Sequence, residues 1–135
     1  MSFTELPHTA DVKMRVCAPS PDTLFSEACM ALMQVMYGSD RKTGLSRELD
    51  LDAENTDAQL LDFLSEVLFI TDAESFVIAH ADIQITGTHV HAILDGEPFD
   101  RARHNKGTEV KGISYSGMSI RREQEGYVLE IIFDV

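Results

Sequence analysis

His89 and His91 are separated by one residue, a spacing that puts both on the same face of a β-strand, as zinc ligands on strands often are. Val90, Ala92 and Leu94 occupy the opposite face, so the pair fits the polar outer side of a half-buried strand equally well. The other histidines are His8, His80 and His104; no third ligand is evident, and Cys17 and Cys29 form no Cys-x-x-Cys. A structural zinc is therefore not expected. Serine, histidine and aspartate are all present, but without a Gly-x-Ser-x-Gly elbow they do not make a serine hydrolase. Walker, Gly-x-Gly-x-x-Gly and EF-hand loops are missing too. Two acids are better placed. Asp11 opens a strand just after His8-Thr9-Ala10, and Asp134 closes the last strand beside Val135. Alternation puts Asp134 on the face of Val128, Glu130 and Ile132. That strand is hydrophobic enough to be central in a sheet, which fixes the position of its end. Two carboxylates beside a terminal carboxylate offer hard oxygens suited to a cation such as calcium. On spacing alone, the plainer reading of two exposed aspartates at strand ends stands ahead of it.

The charge of the chain restricts what such residues can serve. Across 135 residues, 11 Lys and Arg face 23 Asp and Glu, a net charge of −12. So acidic a surface repels phosphate backbones, which excludes a protein that wraps RNA or DNA, and it disfavours anionic membranes. It attracts cations or a basic protein surface. Hydrophobic residues make up 44% and charged residues 25%, an ordinary globular balance, and the length predicts a single domain over residues 1–135. The longest apolar run, residues 28–33, is far short of a membrane helix, and the first residues carry no signal-peptide pattern. Two cysteines in a domain with an adequate core read as reduced thiols, which predicts a cytoplasmic location.

The elements that must position these residues are legible as period and punctuation. Leu24, Ala28, Leu32 and Val35 recur at helical spacing, with Ser20 as cap, Pro21 in the first turn and Gly38 as the stop. Leu60, Leu61, Leu64, Val67 and Leu68 make the apolar face of a second helix, preceded by Thr56-Asp57-Ala58-Gln59, which fits a capping box. Val12, Met14 and Val16 alternate with polar neighbours, as do Leu45, Leu49 and Leu51. Residues 76–85 and 88–94 predict a hairpin turning at Gly87, and residues 113–121 and 127–134 another around Glu125-Gly126. The polar segment 95–110 between them reads as a functional loop that can hold a short helix. Five or six strands with two amphipathic helices imply an α+β domain, the helices covering one face of a mostly antiparallel sheet.

Four segments in this order carry a family resemblance: His8-Thr9-Ala10-Asp11-Val12, then Gly96-Glu97-Pro98-Phe99-Asp100 with His104, then Gly107-Thr108-Glu109-Val110-Lys111, and a closing Ile132-Phe133-Asp134-Val135. Together they resemble the archease family over essentially the whole chain; Lys13, Gly112 and Ser116 are small departures. The resemblance implies an accessory protein of the RtcB-type RNA ligase, which joins RNA ends through a histidine–guanylate intermediate, rather than a free-standing enzyme. It implies promotion of guanylylation, repeated turnover and wider nucleotide use in tRNA splicing. It also implies a divalent cation, calcium, held by Asp11, Asp134 and the main-chain oxygen of Val135. This reverses the plainer reading of that pair. His8, Thr9, Glu97, His104 and Lys111 become candidates for contacting the ligase or supporting the site. A general chaperone or interaction module and a metal-dependent hydrolase are the alternatives.

Overall fold

The computed structural model describes residues 1–6, 11–105 and 107–135. In chain order the strands are β1 (Ser2–Leu6), β2 (Val12–Ala18), β3 (Leu45–Asp52), β4 (Phe76–Thr86), β5 (His89–Pro98), β6 (Gly112–Glu123) and β7 (Gly126–Asp134). The helices are α1 (Pro21–Tyr37), α2 (Thr56–Glu74) and the short α3 (Arg101–His104). The α+β class and the antiparallel pairing are as the sequence predicts. The strands, however, form two sheets, one in the order β1-β2-β7-β6 and one in the order β3-β5-β4. Each hairpin carries a further strand on one edge: β2 beside β7, and β3 beside β5.

The helices are the layer that the two sheets share. α1 packs on β2 and β4, one strand from each sheet, while α2 reaches β6 as well as β3 and β4. Phe25 of α1 stacks on Phe63 of α2 with ring centroids 5.9 Å apart. Around them lie Val16, Leu32, Leu94, Leu129, Ile131 and Phe133, all without solvent exposure. Burying a side chain of this size contributes about 1.5–3 kcal/mol, so this cluster supplies the main cohesion of the molecule. Met14 and Met33 are buried in the core, and Met30, Met36 and Met118 pack against it.

The start of α1 follows the sequence reading. The Ser20 hydroxyl accepts from the Thr23 amide, and the Thr23 hydroxyl accepts from the Ser20 amide. The start of α2 differs by one residue. Asn55 is the cap, in extended conformation, and its side-chain oxygen accepts from the Ala58 amide at 2.9 Å. Thr56 is already helical. Gln59 does not close a capping box because its side chain is buried and donates to the Gly87 carbonyl at 2.8 Å, tying α2 to the β4–β5 turn. No helix among the described residues is long and apolar enough to cross a membrane.

Candidate functional site

The two acids singled out at the chain ends lie at the same end of the four-stranded sheet. β7 is hydrogen-bonded on both sides, to β2 and β6, as its apolar composition predicts. The β2–β7 ladder ends at the pair Val12 and Phe133, so Asp11 and Asp134 are each the next residue beyond its last pair, on neighbouring strands. On the other side Asp134 pairs with Gly112, and the Lys111 amide donates to the Asp134 carbonyl at 2.7 Å. Asp11 and Asp134 are half-buried, and Val135 is exposed beyond them. Like charges opposite each other across strands are destabilising, and a cation between them relieves that repulsion. The donor set is hard oxygen, which fits calcium or magnesium better than a thiol- or imidazole-seeking metal.

The neighbouring acid on that face behaves differently. Glu130 is bound by Arg15 at 2.8 Å, with Lys13 and Arg121 close by, and these cations hold its carboxyl below the usual carboxylate range. Among the described residues neither Asp11 nor Asp134 has an ion pair within 4.0 Å. His8 and Thr9 lie outside the described residues.

Glu97 and His104 sit in a part-buried clamp within the 95–110 segment. The carboxylate of Glu97 accepts from both terminal nitrogens of Arg103, from the Lys42 amide at 2.7 Å and from His104 Nε2 at 3.1 Å. Led by the Arg103 guanidinium, these donors pull its pKa down to about 2. His104 is 1% exposed, and its Nδ1 accepts from the Asp100 amide at 2.8 Å. That leaves the proton on Nε2, where it donates to Glu97. The imidazole is packed against Phe99 and Tyr37 with centroids 5.9 and 6.3 Å away. The polar atoms of both residues are engaged within the segment and with Lys42.

The clamp continues into Lys111. Gly107 lies so close to the end of α1 that a Cβ there would overlap the Val35 and Met36 carbonyls, and the Thr108 amide donates to the Val35 carbonyl at 2.8 Å. The chain then runs through Val110, which is buried, to Lys111, which is exposed. Lys111 borders a groove of about 360 Å³ that also touches Met36, Leu68, Phe69, Asp72 and Glu109. Cys17 and Cys29 are free thiols, and burial pushes Cys29 up to about 12, which keeps it protonated and unreactive at neutral pH.

A second cluster lies on the other sheet, where spacing along one strand showed no third ligand. The β3–β5 register sets Asp50 opposite His91 and Asp52 opposite His89. Asp50 Oδ1 is 2.7 Å from His91 Nδ1 and 2.9 Å from His89 Nε2, and His89 Nδ1 is 3.2 Å from Asp52 Oδ1. Hydrogen bonds to Asp50 and then Asp52 raise the pKa of His89, and those from His91 and then His89 lower that of Asp50. The register thus brings Asp50 and Asp52 across to this histidine pair. The alternating Glu48-x-Asp50-x-Asp52 was visible in the sequence as a polar face, but not as the partner of His89-x-His91.

Residues 3–135 match the Archease protein family (MTH1598/TM1083). The chain is 32% identical over 141 residues to the protein archease of Methanopyrus kandleri, covering 100% of each. In fold it is similar to the solution structure of Methanobacterium thermoautotrophicum protein 1598, with a TM-score of 0.82, 24% identity and 98% of each chain covered. It is also similar to the crystal structure of an archease from Thermotoga maritima, described as a possible chaperone, with a TM-score of 0.68 and 17% identity over 98% of this chain and 96% of that one. With a family match over residues 3–135 and a shared fold, the chain belongs to the archease family.

Proposed function

We propose that this chain is an accessory protein of an RtcB-type RNA ligase, promoting ligase guanylylation, repeated turnover and wider nucleotide use. In this reading Asp11, Asp134 and a main-chain oxygen of Val135 hold a divalent cation, calcium. The observation that supports it is that Asp11 and Asp134 each follow the last pair of the β2–β7 ladder, at the end of a strand paired on both sides, in a chain of the archease family. A bound divalent cation would supply positive charge that screens and orients phosphate oxygens. Asp11 and Asp134 would bind and aim it; β7 keeps their spacing constant. Lys111, tied through its amide to Asp134, would contact a phosphate or a ligase carboxylate beside them.

Charge supports the same reading. An RNA ligase needs a basic groove for its substrate, and a partner of net charge −12 is complementary to that groove while no RNA is bound. The contact must be transient, because a tightly held acidic partner would compete with RNA. The protein therefore acts on RNA metabolism without binding nucleic acid stably itself, in the cytoplasm and without a membrane.

Guanylylation of the cognate ligase, measured with and without this protein and with and without a chelator, tests the proposal. Stimulation that chelation abolishes is expected; an unchanged ligase under both conditions would overturn it. The Thermotoga maritima neighbour is described as a possible chaperone, and a general chaperone would suppress aggregation of unrelated clients, which a ligase-specific partner does not. A metal-dependent hydrolase would turn over phosphoesters or peptides alone, whereas no turnover is expected here.

A further inference from the structure

We propose that His89 and His91 of β5, with Asp50 and Glu48 of β3, form a binding site for a late first-row divalent cation, zinc or nickel, on the outer face of the three-stranded sheet. This site is separate from Asp11 and Asp134, which lie on the other sheet. Its donors are of a different class. Imidazole and carboxylate together suit zinc, nickel, cobalt or copper, whereas calcium and magnesium take oxygen only.

Three features of the geometry point to a metal rather than to a polar surface alone. First, Glu48, Asp50 and His91 each offer one ligand atom, and these atoms lie within 4.8 Å of one another. Ligands about 2.0–2.2 Å from a zinc ion are roughly 3.3–3.6 Å apart in a tetrahedron, so side-chain rotations would bring these three onto one ion. Second, both histidines converge on one oxygen: Asp50 Oδ1 is 2.9 Å from His89 Nε2 and 2.7 Å from His91 Nδ1. An ion seated among these three atoms would take the place of two hydrogen bonds already aimed at a common point. Third, His89 has the support that metal-binding histidines use. With Nε2 turned toward the ion, Nδ1 keeps its proton and donates to Asp52 Oδ1, 3.2 Å away. A carboxylate behind a ligating imidazole fixes its tautomer and raises its basicity.

Access and consequence follow from position. Glu48 and Asp50 are exposed and His91 is half-exposed, so an ion can enter without any opening of the fold. β3 is an edge strand held to the sheet only through β5. A metal bridging Asp50 and Glu48 to the two histidines would staple that edge strand and stabilise the folded chain in proportion to its occupancy.

Titration of the full chain with cobalt(II) and zinc at neutral pH, followed by visible absorbance and by thermal melting, tests the site. The expected result is one saturating equivalent of cobalt with tetrahedral-type bands, displaced by zinc and not by calcium, together with a zinc-dependent rise in Tm. His91→Gln should weaken binding about tenfold or more and abolish the rise in Tm, and Asp52→Asn should weaken binding about 10-fold or more through His89 alone. Asp11→Asn should leave zinc affinity unchanged. Binding that survives His91→Gln intact, binding that is lost in Asp11→Asn, or no saturable binding below millimolar metal would each overturn the proposal. A fold check by circular dichroism on the exposed-face variants keeps loss of binding distinct from loss of structure. Failure at His91→Gln leaves the ligase reading untouched, since that reading rests on the other sheet, whereas binding lost in Asp11→Asn would place the metal at the chain-end pair instead.

Discussion

Glu97, singled out in the sequence as part of a motif, is an acceptor enclosed by donors. Its pKa is lowered from 4.5 to about 2, so its contribution to stability is full above about pH 4.5 and is lost as pH falls toward 2. Glu97→Gln is expected to lower stability at neutral pH by about 2 kcal/mol, the usual scale for charge-assisted hydrogen bonds. Between pH 4.5 and 2 the variant should lose less stability than the parent chain, because the group that titrates there is gone. Urea midpoints across that range check this, and parallel curves for the two proteins would contradict it. The motif around Glu97 and His104 was legible as a place of interest. That the two residues face each other, with His104 sealed at 1% exposure, was not, because burial depends on where α1 delivers Tyr37.

Elements defined by local period were the readable ones. Both hairpins, the capped start of α1 and the central position of β7 follow from alternation, turn glycines and one apolar strand. Pairing choices between distant strands did not, since alternation states which face a residue takes and says nothing about its neighbour. For that reason the division into two sheets and the meeting of Asp50 with His91 appear only in the fold. The site at Asp11 and Asp134 was half legible: the faces came from alternation, while the pairing of the two ends came from a family likeness. Two substitutions probe the elements. Asn55→Ala removes the cap of α2 and is expected to cost about 1 kcal/mol, whereas Thr56→Ala should be close to neutral; chemical denaturation distinguishes them. Gly107→Ala must push the loop off the end of α1, with an expected loss of about 1–3 kcal/mol and a displaced Lys111. Wild-type stability in that variant would show that the contact is dispensable.

At the scale of the molecule, the net charge of −12 is unevenly spread. The outer face of β3, β5 and β4 carries Glu48, Asp50, Asp52, Asp82 and Asp95. The outer face of β2, β7 and β6 carries Lys13, Arg15 and Arg121 around Glu130. If the proposed contact with a basic ligase groove is driven by the net charge of −12, its association should slow as salt screens the field. Raising ionic strength from about 0.05 to about 0.5 M is expected to lower the association rate by roughly tenfold, read by stopped-flow or surface-based kinetics. A rate independent of salt would place the contact on apolar ground, such as the groove beside Phe69 and Lys111. The central claim is narrower than the charge argument, for it assigns the work to two carboxylates held by β7. The rate of ligase guanylylation with the Asp11→Asn and Asp134→Asn variants, compared with the unaltered chain at saturating calcium, tests it most directly. The account predicts that each variant folds and that its stimulation of the ligase falls by at least about tenfold, as expected for loss of a ligand that aims a cation. Folded variants that stimulate as well as the unaltered chain would contradict it.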